Sequence, residues 1–248
     1  MSKMETDLVK TRRSAQIANE IHAGLVARGE PERAKQQQAY MKSEMPFAGV
    51  TAPEVRKFCR AVYKENPPTD RTEWLTTADL IWRNARFREE RHAAIELLAI
   101  PRWQKEWLHP DCLSQLHYMI QSGAWWDYVD ALAINHVGPL LRDYEEEIKP
   151  ILRNWITDPD LWVRRSAILA QLKFKTQTDL DFLHDAIQGS ISDDNFFARK
   201  AIGWVLREYS RTDPDWVISY VKKYKDNLSG LSVREGLRLV KKTSTSPA

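Results

Sequence analysis

The sequence predicts an all-α protein built as a HEAT-like helical-repeat superhelix, a solenoid with a concave face. Three observations carry that expectation. Apolar residues recur at helical spacing in nearly every segment. Gly accounts for only 9 of 248 residues, and no Asn-Gly or Asp-Gly dipeptide marks a β-hairpin. A short pattern also returns at a fixed offset of 35 residues, in Val163–Ile168, Ala198–Gly203 and Val233–Arg238, with a fainter copy at Arg91–Ile95. Two helices fit in each such unit, and hairpins of this length stack into curved arrays.

The elements follow in chain order. Ile17, Ile21 and Leu25 lie on one helical face, and Gly29 stops the run. Pro31 opens a second helix that ends near Pro46. Thr51 and Glu54 have capping-box spacing ahead of Val55, Phe58, Cys59 and Val62. Asn66-Pro67-Pro68 breaks the chain, and Asp70 with Glu73 restarts it. A helix from Arg86 to Leu98 closes at Pro101, and Asp111 caps one that Gly123 ends. Trp125–Leu141, Tyr144–Ile156, Arg164–Phe174, Asp179–Ile187, Phe196–Tyr209, Asp215–Tyr224 and Ser232–Val240 complete the series.

Composition narrows the function. With so few glycines there is no Gly-rich phosphate loop of the Walker or Rossmann kind. The two cysteines, Cys59 and Cys112, are too few and too far apart for a disulfide framework or zinc knuckle, so a reducing compartment is expected. None of the six histidines forms a His-x-x-x-His pair, so no metal site is expected. No secretory leader or apolar run of membrane length is visible, and the chain reads as cytoplasmic. Ten tryptophans are a large aromatic allotment, to be placed in the core or against a ligand.

Charge is uneven along the chain. Residues 1–60 hold 11 basic and 7 acidic side chains, residues 61–194 hold 15 and 22, and residues 195–248 hold 11 and 5. Basic ends around an acidic middle suit a body that faces a polyanion, and equally a solvated helical surface.

The stretch richest in chemistry is Gly123-Ala-Trp-Trp-Asp-Tyr-Val-Asp130. Trp126 and Asp130 stand one turn apart on the same helix face. Two adjacent tryptophans cannot both face the core of one amphipathic helix, so one is expected inside and one outside. Arg165 lies 39 residues beyond Trp126, and Trp204 a further 39 beyond Arg165. Near-period spacing of this kind can bring an aromatic, a carboxylate, a guanidinium and a second aromatic to one wall. Gly203 beside Trp204 lets something approach the backbone closely. Taken singly, each tryptophan also fits helix packing, and Asp130 fits a charge favoured by the helix dipole.

Three motifs are similar to those of the AlkD family of bacterial DNA glycosylases. They are Trp125-Trp126-Asp127-x-Val129-Asp130, Trp162-x-x-Arg165-x-Ala-Ile-Leu-x-Gln-Leu-Lys173, and Lys200-Ala-Ile-Gly-Trp-Val-Leu-Arg-Glu-Tyr209. The resemblance runs from about Glu32 through Tyr40-Met-Lys42 to the Ser232–Arg238 helix. It implies a HEAT-like-repeat enzyme that removes cationic alkylpurines, such as N3-methyladenine and N7-methylguanine, from duplex DNA without flipping the base, and without metal or cofactor. It implies Asp130 as the catalytic carboxylate, Trp126 and Trp204 as active-site aromatics, Arg165 as a phosphate contact and Tyr40 as a further family residue. Tyr40 and Lys200 are expected to contact DNA. The resemblance divides the chain into an N-terminal helical extension (residues 1–30), a repeat domain (31–242) and a flexible tail (243–248).

The residue chemistry fits that role on its own terms. Glycosidic cleavage passes through an oxocarbenium-like sugar, which a nearby carboxylate stabilises. Indole faces attract cationic groups. A cationic base leaves as a neutral molecule, so one carboxylate without a general acid suffices. The expected partner is double-stranded DNA bound by a monomer. Two other readings are open at this level: a non-catalytic HEAT scaffold that binds damaged or branched DNA, and a protein–protein adaptor.

Overall fold

The computed structural model describes residues 3–240, so the expected tail at 243–248 lies outside the described residues. Every regular element among them is helical. The chain divides into two compact units between Leu108 and His109. No helix of the described residues is long and apolar enough to cross a membrane.

The first unit holds α1 (Lys3–Arg28), α2 (Pro31–Met41), α3 (Ala52–Glu65), α4 (Arg71–Arg83), α5 (Arg88–Leu98) and α6 (Pro101–Trp107). Helix α1 packs on α4 and α3, and α5 packs on both of those. The predicted stripe of Ile17, Ile21 and Leu25 is buried. At the start of α3 the Glu54 carboxylate accepts from both the backbone N–H and the hydroxyl of Thr51 (3.1 and 2.6 Å). Asp70 caps α4 by accepting from the Glu73 N–H. The loop into α3 is pinned by Glu89, a 3 % exposed carboxylate that accepts from the N–H groups of Ala48, Gly49 and Val50. Gly49 has φ +90°, and a side chain there would meet the Glu30 carbonyl oxygen at 2.1 Å. Helix α6 departs from the sequence reading, in which Pro101 only closed α5. Pro101 stands in the first turn of α6, where its missing N–H costs nothing. Trp103 and Trp107 then stack with each other, and Trp107 meets Trp74 of α4.

The second unit holds α7 (Leu113–Gly123), α8 (Trp126–Leu132), a π turn (Ala133–Val137), α9 (Gly138–Asp143), α10 (Glu145–Trp155), α11 (Leu161–Leu169), α12 (Leu180–Gln188), α13 (Phe196–Tyr209), α14 (Pro214–Lys223) and α15 (Gly230–Gly236). Helices α8, α11, α13 and α15 pack in succession, while α10 and α12 pair with each other and with α11, and α14 with α13 and α15. The 35-residue period predicted these hairpins. Each helix from α11 to α15 starts on a side-chain cap: Asp160, Asp179, Asn195, Asp213 and Ser229 each accept from a backbone N–H of the turn they open. Val163, Ala167, Ile168, Ala198, Ala201, Ile202 and Gly236 occupy the inward faces of α11, α13 and α15. The segment read as one helix over Trp125–Leu141 is instead interrupted by the π turn. Gly138, next after the turn, packs so closely that a Cβ would come within 2.5 Å of the Ala170 carbonyl oxygen.

Candidate active site

The site begins where α7 ends. Ala124 takes a left-handed conformation (φ 34°), uncommon for a residue with a side chain, and Trp125 is extended. This sharp turn separates the two indoles. Trp125 packs against Trp162 and Phe197 at 5.9 and 5.4 Å, and those two rings meet at 5.0 Å. Trp126 opens α8 and is 36 % exposed. One tryptophan is therefore packed and the other faces solvent, as the helix geometry requires.

Asp130 lies one turn beyond Trp126 on α8. Its oxygens accept from Nε and Nη2 of Arg165 at 2.7 and 2.8 Å. The Arg165 Nη1 donates to the Phe197 carbonyl at 2.6 Å. The side chains are 13 % and 3 % exposed, so this is a buried, bidentate pair. Burial pushes the Asp130 carboxyl above its ordinary value, the hydrogen bonds and charge of Arg165 pull it back, and Asp127 adds to the rise. Two lone-pair directions remain on the carboxylate for water or an electron-poor atom.

Arg165 is held firmly within the protein. Three of its five N–H groups are spent inside the protein, and almost none of the side chain meets solvent. These bonds fix the carboxylate and tie α8 to α11 and α13.

Lys200 pairs with Glu235 at 3.0 Å and keeps 37 % of its side chain exposed. Trp204, half-buried on α13, lines a cavity of about 780 Å³ with Lys173, Lys175, Tyr209 and Arg211; Asp130 and Arg165 are not in its wall. What approaches Gly203 is α15: a Cβ there would meet Glu235 Cβ at 2.6 Å. Tyr40 belongs to the other unit, near the end of α2, and is 79 % exposed. Among the described residues no group of three or more His, Cys, Asp or Glu side chains is gathered to hold a metal.

A signal for the ion pair was present in the sequence at 35 residues rather than 39. Asp130, Arg165, Lys200 and Glu235 are each 35 apart, and the outer carboxylates pair with the inner cations. Trp162 and Phe197 share the same offset and touch. Not legible in the sequence was the π turn, whose Asn135 accepts from Lys173 at 2.8 Å.

The model of a family described as DNA alkylation repair enzymes matches residues 21–240. The chain belongs to that DNA alkylation repair enzyme family. A solved structure, named as a predicted DNA alkylation repair enzyme from Enterococcus faecalis, is 31 % identical. Its match covers 87 % of this chain and 98 % of that one, with a TM-score of 0.77. No curated protein matches the sequence. The three site motifs of this DNA alkylation repair family member all lie within the matched span.

Proposed function

We propose that the protein is a DNA glycosylase. It hydrolyses the N-glycosidic bond of cationic alkylated purines, of the N3-methyladenine and N7-methylguanine type, in duplex DNA. It does so without base flipping, as the opening step of base excision repair, acting as a monomer in the cytoplasm and needing no cofactor. The observation that carries this reading is Asp130, an oriented, largely buried carboxylate one turn from an exposed indole.

In the reaction the C1′–N bond breaks and its electron pair leaves with the base, neutralising it. Asp130 stabilises the oxocarbenium sugar that forms. It then orients a water for attack on C1′ and accepts the proton that water sheds. Arg165 holds the carboxylate at a fixed angle, so no reorientation is needed as charge develops. Trp126 offers an indole face to the cationic nucleotide, a contact of about 0.5–2 kcal/mol when desolvated. Trp204 serves in the same way, and Tyr40 and Lys200 contact the DNA.

The deciding experiment follows free base released from a duplex carrying N7-methylguanine and N3-methyladenine, with Asp130→Asn as comparator. Release by the wild-type protein, reduced about 10²-fold or more in the variant, supports the mechanism. Binding of the duplex with no release supports the scaffold reading instead.

A further inference from the structure

The site residues of the second unit sit on α8, α11 and α13, which leaves α12 and α14 without a task beyond packing. We propose that the cavity between α12 and α14 is a binding site for a nucleotide, its base laid against Trp216 and its phosphate met by Lys223. The cavity shares no wall residue with the one beside Trp204, and the proposal does not rest on the glycosylase reading.

The rings are the first observation. Trp216, Tyr220 and Tyr224 follow one another at four-residue spacing along one helical face. They form a ladder with centroids 4.8 and 4.7 Å apart. His184 of α12 meets both tyrosines, at 5.8 and 5.5 Å, and Tyr209 of α13 backs Trp216 edge-on at 5.3 Å. The Tyr220 hydroxyl lies 3.0 Å from His184 Nδ1 and accepts from Gln188 at 3.2 Å, so the middle ring is fixed as a floor. Trp216 and Tyr224, at either end, are half-buried and keep surface for a ligand. The cavity measures about 340 Å³, within the range of about 300–1,000 Å³ that small-ligand sites occupy.

The polar groups are the second, independent observation. Asp181, Ser219 and Lys223 stand in the same wall. Among the described residues, Asp181 and Lys223 form no ion pair, with each other or with any other group. The Ser219 and Tyr224 hydroxyls and the Trp216 indole N–H likewise make no hydrogen bond there. The Lys223 ammonium rests over the Tyr224 ring at 5.0 Å. Lys222 and Lys225 beside it are exposed and also lack a carboxylate.

Together these groups are the complement of a nucleotide. A base of any identity stacks on an indole or phenol ring. A carboxylate accepts from the exocyclic amine of adenine or cytosine, and an ammonium pairs with phosphate. Lysines at the end of a helix also suit its dipole, but the dipole does not call for a ring ladder beside them. A proline-rich peptide also docks in aromatic grooves, yet it has no use for a free carboxylate and three uncommitted lysines.

The test titrates adenosine monophosphate and a single-stranded deoxyadenylate tetramer separately into the full chain. Trp216→Ala should weaken both about 5- to 150-fold, the range of one base–ring stack. Because Trp216 also packs on Tyr209 and Tyr220, two exposed positions carry the test if that variant fails to fold. Lys223→Ala should weaken both probes several-fold and lower the salt slope of tetramer binding by about 0.7. Asp181→Ala should erase a preference for adenosine over uridine monophosphate, since uracil has no exocyclic amine to offer. Trp204→Ala should bind the monophosphate like wild type, and Trp216→Ala should bind intact duplex like wild type. Equal affinity for the two probes marks a free nucleotide as the ligand, and tighter binding of the tetramer marks a single strand. Failure of the wild-type protein to bind either probe overturns the proposal. So does loss of binding through Trp204→Ala in place of the α12 and α14 variants. A proline-rich peptide bound where neither nucleotide probe binds would assign the groove to a peptide instead.

Discussion

Arg165 and Asp130 stand one repeat period apart and meet through two parallel N–H···O bonds of 2.7 and 2.8 Å, with the guanidinium 3 % exposed. The repeat therefore does more than stack helices. It sets a carboxylate on one helix opposite a cation at the equivalent position of the next.

Removal of the guanidinium leaves a largely buried carboxylate without its partner. Arg165→Ala should lose about 3–5 kcal/mol of unfolding free energy, measured by chemical denaturation. Asp130→Ala/Arg165→Ala should lose less than the two single variants summed, because neither charge is then stranded. The salt slope of DNA binding in Arg165→Ala tests the expected phosphate contact: a fall of about one unit supports it, and a wild-type slope confines Arg165 to positioning the carboxylate.

Under the proposed mechanism the acid limb of the excision rate should report Asp130. The ionised carboxylate would be the active form, and burial with Asp127 nearby raises its pKa above the ordinary value. Activity should therefore fall, as pH drops, at a higher pH than a free aspartate would give. Arg165→Lys replaces the bidentate fork with a point charge, and its limb should move higher still. A rate flat with pH down to the usual carboxylate range would exclude Asp130 as the titrating group.

The two neighbouring tryptophans should separate cleanly. Trp125→Ala removes contacts to Trp162 and Phe197 and should cost about 2–4 kcal/mol of stability. Trp126→Ala, at an exposed position, should change stability by no more than about 0.5 kcal/mol. It should instead lose about 2- to 30-fold in preference for a cationic lesion over its neutral counterpart. Thermal melts and competitive binding of the two duplexes distinguish the effects.

His136, fully buried in the π turn, has its pKa pushed down to about 4 by burial. Above about pH 6.5 the ring is neutral in both folded and unfolded chains, and its contribution is complete. Between there and pH 4 the unfolded chain takes up a proton that the native one refuses. Stability should fall by about 1.4 kcal/mol per pH unit, to a total of about 3 kcal/mol. Denaturation midpoints at pH 7 and pH 5 check this, and His136→Gln should flatten the difference.

The hairpins of the second unit and most caps were readable because local rules decide them: Thr51, Asp70 and the 35-residue period each specify their own neighbourhood. The split of Trp125 from Trp126 was readable for the same reason. Helix α6 was not, because a proline that ends one helix also opens the next, and only the packing of Trp103 and Trp107 shows which has happened. Arg165 and Asp130 were both placed as site residues, but their pairing was not, since a bidentate ion pair is a tertiary fact. Gly203 was read as room for a ligand; room and occupant are indistinguishable until α15 is seen to fill it.

The wide turn at Ala133–Val137 carries one residue more than an α-helical turn between Asp130 and Gly138. Loss of a single residue there would let the helix relax to α geometry. Everything downstream would keep its phase about the axis relative to Asp130, because five residues at the wider π pitch turn the chain about as far as four at α pitch. Gly138 would still face the Ala170 carbonyl, while the widened turn that presents Asn135 to Lys173 would be gone. The extra residue is thus a local device that leaves the packing register untouched. Relatives that keep every motif residue and lack one in this interval should hold their site and packing faces in phase and lose only the contact made by Asn135.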